Sequence, residues 1–102
     1  MDDHQQRVAE FVERYDLETP PEYRLLDLVS EVGELAKDAN ESTGYGSDPD
    51  DLEINSDEIG DALFALLALA DSLEIDAGAA LEEALAKYED RLSESESPSS
   101  GE

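Results

Sequence analysis

From Ile59 to Leu73 the chain puts apolar side chains on almost every side of a helix: Ile59, Ala62, Leu63, Phe64, Leu66, Leu67, Leu69 and Leu73. A helix of that kind has to be covered on more than one side. In a chain of 102 residues only a few other elements can do this, so the segment reads as the central helix of one small domain. Its longest run without a polar side chain, Ala62 to Ala70, is nine residues. That is well short of the roughly 20 needed to cross a bilayer. Three further helices are the available cover, and a second copy of the chain is the natural remainder, so a homodimer or homotetramer is expected.

The other segments read as helices too, and the fold class is all-α. Val8, Ala9, Phe11, Val12 and Tyr15 recur at helical spacing over residues 2–15. Thr19-Pro20-Pro21 is expected to stop this helix, because proline restricts the residue before it and lacks an N–H. Leu25, Leu28, Val29, Val32, Leu35 and Ala36 make an apolar stripe over residues 22–40. A loop rich in turn formers follows, and Ser56 is the expected N-cap of the central helix, residues 56–73. Asp76 is the expected cap of the last helix, residues 76–92. The domain is therefore expected to occupy residues 1–92. Residues 93–102 carry no apolar side chain beyond Leu92 and read as a disordered tail.

Charge excludes some functions. With 29 acidic and 6 basic residues the formal net charge is −23. Such a chain repels nucleic-acid backbones and anionic membranes, so neither is an expected partner. The acidity fits solvation in a salty cytoplasm, where screening relieves self-repulsion, and a halophilic, cytoplasmic protein is expected. It also makes acidic spacing cheap evidence. Glu10/Glu13, Asp38/Glu41 and Asp71/Glu74 are i,i+3 pairs and are assigned no chemistry.

Two other pairs differ by their surroundings. Glu31-Val32-Gly33-Glu34 lies on the second helix, where Glu31 borders the apolar stripe and Asp27, Glu34 and Asp38 fall in a band beside it. A solvated acidic face would look the same. Glu58-Ile59-Gly60-Asp61 heads the central helix, where a carboxylate facing a buried surface is costly without a partner. The helix macrodipole accounts for Glu58 in the first turn, and accounts less well for Asp61, which is expected to lie deeper. Four oxygen ligands on two helices suit magnesium, manganese or calcium. There is no cysteine and one histidine, which leaves little for softer metals. Magnesium commonly binds through few carboxylates plus substrate phosphates, which points to a polyphosphate.

The scarce basic residues are then of interest. Lys87 and Arg91 stand i,i+4 on the last helix, where they either offset the helix dipole or contact phosphate. Arg7, Arg14, Arg24 and Lys37 are expected to pair with neighbouring acids.

At these residues the sequence resembles the MazG-like family of all-alpha nucleotide pyrophosphohydrolases. The family's E-x-x-E and E-x-x-D correspond to Glu31/Glu34 and Glu58/Asp61, separated by a spacer of 23 residues. The flanking Leu28-Val29-Ser30 and Ala62-Leu63-Phe64 match as well, and the likeness runs from about Tyr23 to Arg91. It implies an antiparallel four-helix bundle completed by oligomerisation. It also implies hydrolysis of a nucleoside triphosphate to monophosphate and pyrophosphate. Glu31, Glu34, Glu58 and Asp61 would hold magnesium, Glu34 or Glu31 would serve as base, and Lys87 and Arg91 would hold phosphate. Many relatives carry a second glutamate where this chain has Ser30, which bears on a second metal site. The alternatives are a phosphoribosyl-ATP pyrophosphohydrolase on the same fold and a non-catalytic acidic helical module.

Overall fold

A computed structural model of the chain describes residues 2–94. It contains α1 (Asp2–Arg14), α2 (Pro21–Ser42), α3 (Ser56–Ser72) and α4 (Ala77–Glu94), with a 3-10 turn at Pro49–Asp51 between α2 and α3. No strand occurs among the described residues, and each helix lies within two residues of its expected bounds. Ser93 and Glu94, assigned to the tail by sequence, close α4. Residues 95–102 lie outside the described residues.

The helix ends show what punctuates this chain. α1 stops before the prolines expected to end it, because Asp16 takes a left-handed conformation (φ 59°). Asp16 N–H then donates to Glu13 O (3.3 Å) and Leu17 N–H to Val12 O (2.9 Å), the paired closing bonds of a Schellman motif. α3 ends the same way at Glu74 (φ 58°), with Glu74 N–H on Asp71 O (3.0 Å) and Ile75 N–H on Ala70 O (2.9 Å). At the end of α2 the left-handed position is Gly44 (φ 58°), which has no Cβ to strain. Pro21 opens α2 at its first position, where a missing N–H costs nothing. Ser56 is the first helical residue of α3 rather than its cap; Asn55 occupies the cap position and makes no side-chain cap bond. Asp76 does cap α4, its Oδ1 accepting from Ala79 N–H at 3.1 Å.

α3 lies between α1 and α2 and packs chiefly on α2. Both neighbours run antiparallel to it. Along α2 the partners descend as α3 ascends: Asp38 meets Glu58, Glu31 shares a cleft with Asp61, and Arg24 sits beside Phe64 and Ala65. On the other side Phe11 of α1 meets Phe64 edge-on, with ring centroids 5.9 Å apart, a favourable aromatic geometry. Gln5 of α1 ties down the α3–α4 connection with two bonds, donating to Ile75 O (2.7 Å) and accepting from Ala77 N–H (2.8 Å).

The core is small. Its buried apolar residues are Val12, Ala65, Leu67 and Ala68. The Cα radius of gyration, 16.8 Å, exceeds the roughly 13 Å of a compact domain of about 100 residues. The excess reflects α4, which packs sparsely on α1 and α3 and has no buried residue. Leu81, Leu85, Tyr88 and Leu92 form a helical stripe on it, each about half exposed. α2 divides its apolar residues between two faces. Leu28 and Leu35 are half-buried, while Leu25, Val29 and Val32 are exposed.

Glu74 holds a conformation that disfavours any side chain with a Cβ. Glu74→Gly is expected to raise unfolding stability by about 0.5–1 kcal/mol, the relief of αL strain less glycine's added chain entropy. Thermal or urea unfolding of the two proteins measures it.

Candidate active site

Besides Pro21, Ala39 and Ser42 toward its ends, α2 withdraws from solvent Arg24, Leu28, Glu31, Leu35 and Asp38. They follow alternating steps of four and three, which keeps them on one side of a helix. Every second member is polar. Arg24, Glu31 and Asp38, seven residues apart, thus share a face with two leucines, and the antiparallel pairing sets this face against α3. α3 answers with Glu58 and Asp61 near its start and small residues, Ala62, Ala65 and Ala68, further along.

Two groupings of acids result. In one, Glu58 faces Asp38. Glu58 Oε1 and Asp38 Oδ2 are both cut off from solvent and have no hydrogen-bond partner as ionised groups. Two carboxylates so placed must either share a proton or receive a cation. Without a cation Glu58 keeps its proton, and its pKa rises from 4.5 to about 7. The main cause is the hydrogen bond shared with Asp38, followed by burial and by the charges of Asp38, Glu34 and Asp57. In the second grouping Glu31 and Asp61 line a cleft of about 290 Å³ with Arg24, Asp27, Phe64 and Ala65. Of the four expected ligands, Glu31 and Glu58 are half-buried, whereas Glu34 and Asp61 are exposed. Asp61 lies further along α3, beyond its first turn, and Glu58, one turn earlier, is the one that turns into the α2 contact.

Among the described residues no three acids converge closely enough to cage a metal by themselves. The groupings supply all-oxygen donors and an orphaned oxygen pair. Such a donor set fits a hard divalent cation whose coordination is completed by water and substrate phosphate.

The basic residues do not behave as expected. None of the ion pairs anticipated for Arg7, Arg14, Arg24 and Lys37 is formed among the described residues. Exposed ion pairs contribute little in water, so nothing compels long side chains to hold them. Arg24 is instead buried, 8% exposed, and donates from Nη2 to Leu17 O at 2.5 Å. Lys87 and Arg91 are exposed on α4 and lie against the ring of Tyr88, at 5.4 and 5.8 Å from its centroid. α4 has no substantial packing on α2, and neither cation lines the cleft of Glu31 and Asp61.

A known family shares this architecture. The MazG nucleotide pyrophosphohydrolase domain matches residues 20–94. The chain belongs to the MazG family. It is accordingly a nucleotide pyrophosphohydrolase, and the reading as a non-catalytic helical module is set aside. A solved structure from Bacillus subtilis, YPJD, described as a pyrophosphatase, superposes with a TM-score of 0.71. The identity is 32%, over 86% of this chain and 91% of that one. No curated protein matches the chain. The family match begins at Pro20 and so spans α2 to α4.

Two residues of this MazG-family site went unassigned by sequence. Asp38 was set aside as one of many i,i+3 pairs, and Arg24 as a surface partner for local acids. The signal that finds both is the seven-residue spacing through Glu31 on the leucine face of α2.

The Glu58 shift has a consequence for stability without metal. Its folded pKa lies above the unfolded value, so its contribution is fully present below about pH 4.5 and is lost as pH rises through about 7. Glu58→Gln is expected to flatten that part of the profile and to unfold at a higher temperature than the parent at pH 8 in chelator. Melting curves across pH 4–8 measure both effects.

Proposed function

We propose that the protein hydrolyses a nucleoside triphosphate, including deoxy or non-standard nucleotides, to nucleoside monophosphate and pyrophosphate. Magnesium would be held by Glu31, Glu34, Glu58 and Asp61, with manganese as a substitute. The observation that carries the reading is one helix contact with carboxylates converging from both sides. Glu31 shares its cleft with Asp61, and Glu34 bears on Glu58. Family membership supports the reaction class, and the orphaned oxygens of Glu58 and Asp38 support a cation.

Magnesium bound there would neutralise charge on the phosphate chain and make water a better nucleophile toward the α-phosphorus. The chain's own residues would do the rest. Glu34, exposed beside Glu58, would accept a proton from the attacking water, with Glu31 as the other candidate base. Lys87 and Arg91 would contact phosphate in a homo-oligomer, where α4 of one copy covers another. The half-exposed stripe from Leu81 to Leu92 supports such an assembly. We read the charge of −23 as an adaptation to a salty cytoplasm.

A panel of NTPs and dNTPs with magnesium at high ionic strength, read by pyrophosphate release, tests the reaction. At least one nucleotide should turn over. Glu31→Gln and Asp61→Asn should each lower turnover at least about 100-fold, since even residues behind metal ligands cost 10- to 100-fold. Turnover of none, or unaffected variants, would sink the reading. Turnover of phosphoribosyl-ATP alone would move the substrate to histidine synthesis. For the assembly, Leu85→Glu is expected to shift sedimentation toward monomer.

A further inference from the structure

Arg24 is the odd residue of the site. Side-chain burial among polar and charged residues is confined, among those described, to Arg24 and Thr43. Thr43 is explained locally: its Oγ1 donates to Ala39 O at 2.7 Å and accepts from Gly46 N–H at 3.1 Å. Arg24 is not. A guanidinium carries five N–H donors and a charge that cannot be lost. Burying it is costly unless those donors and that charge are matched. It makes one hydrogen bond, to the backbone carbonyl of Leu17. In a chain with 29 acidic residues it has no carboxylate in salt-bridge contact among the described residues.

Its position supplies the missing explanation. Arg24 lines the same cleft as Glu31 and Asp61. The bond to Leu17 O fixes one edge of the guanidinium to the connection between α1 and α2, leaving the remaining donors for whatever enters. A cleft that offers carboxylates and a fixed, underused guanidinium suits an anion that carries its own cation. A phosphate chain with a divalent metal has that composition. The carboxylates take the metal, and the guanidinium takes phosphate oxygens as a planar fork.

We propose that Arg24 is a phosphate-binding residue of this site, contacting the oxygens of the metal-bound phosphate chain in the α2–α3 cleft. This rests on the pyrophosphohydrolase reading above. It supplies from within one chain the cationic contact that Lys87 and Arg91 do not reach.

The test is titration of magnesium pyrophosphate, and separately of manganese alone, into the wild-type chain, Arg24→Gln and Arg24→Lys, at fixed high salt. Arg24→Gln is expected to weaken pyrophosphate binding by roughly 10- to 100-fold, the loss of one or two charge-assisted hydrogen bonds. Arg24→Lys should recover part of this, because it keeps the charge and loses the fork. Manganese affinity should stay unchanged in both. Unchanged pyrophosphate affinity in Arg24→Gln would overturn the proposal and leave Arg24 as a brace for the α1–α2 corner. So would manganese binding that tightens while pyrophosphate binding stays put, which would make Arg24 a stand-in for the metal. If Arg24→Gln does not fold, the guanidinium Nε–H signals of the wild-type chain decide. One should shift on adding magnesium pyrophosphate, and none shifting overturns the assignment. A wild type that hydrolyses nucleotide while Arg24→Gln binds normally removes only Arg24. A wild type that neither binds nor hydrolyses removes the function itself.

Discussion

The antiparallel contact of α2 with α3 is the constraint on which the rest of this protein depends. It is the most extensive contact between helices of the chain, and it is not a uniform apolar seam. Leu28 and Leu35 on α2 supply greasy contact, while Ala62, Ala65 and Ala68 on α3 are small enough to let the backbones approach. Between the leucines come Arg24, Glu31 and Asp38. Had those three been apolar, the contact would be a better core and no site at all. Polar groups withdrawn from water there lower stability unless matched, and Glu58 facing Asp38 shows the mismatch: without a cation, the pair must hold a proton. The α2–α3 contact thus holds two carboxylates that oppose each other's ionisation.

The remaining helices can be understood from what they leave uncovered. α1 closes one side of α3 through Val12 and the Phe11–Phe64 contact, and Gln5 fastens the far turn. A groove of about 560 Å³ remains between α1 and α3, lined by Val8, Phe11, Leu63 and Leu67 among others. α4 covers little. Its stripe and the exposed Leu25, Val29 and Val32 of α2 are more apolar surface than a small monomer ordinarily shows water. With four buried apolar side chains among the described residues, the chain gains little from its own core. Both facts are consistent with the homo-oligomer proposed above.

How much of this could be read from sequence follows from which forces act locally. The helices were legible because the apolar period of 3.6 is written residue by residue, and Asp76 as a cap because capping is a three-residue interaction. The helix ends were less legible. Asp16 and Glu74 end their helices in left-handed conformations that neither residue favours by itself, so the Schellman closures are imposed by the following chain. Glu31, Glu34, Glu58 and Asp61 were legible as a motif, and the structure pairs them across α2 and α3. Asp38 and Arg24 were not. In a chain with so many acids, a carboxylate acquires meaning only through what stands opposite, and that depends on the register between two helices joined by the loop of residues 43–55. Lys87 and Arg91 illustrate the reverse case. Their spacing suggests a phosphate clamp, yet neither lines the cleft of Glu31 and Asp61.

The acidity of the chain and the charge of a nucleotide oppose each other at long range, and the architecture separates those ranges. Repulsion between exposed charges fades beyond about 10 Å at 0.1 M salt and about 3 Å at 1 M. Salt that screens so acidic a surface therefore also weakens its repulsion of an anionic substrate. Inside the cleft the balance differs, because groups withdrawn from water are screened far less. There Arg24 stands among Asp27, Glu31 and Asp61 without an ion-pair partner among the described residues. A cation placed on the surface would be diluted by salt along with the acids around it. Placed in the α2–α3 contact, it is screened far less, which is a physical reason for the buried Arg24 of a protein with so few basic residues to lie at the acidic cleft.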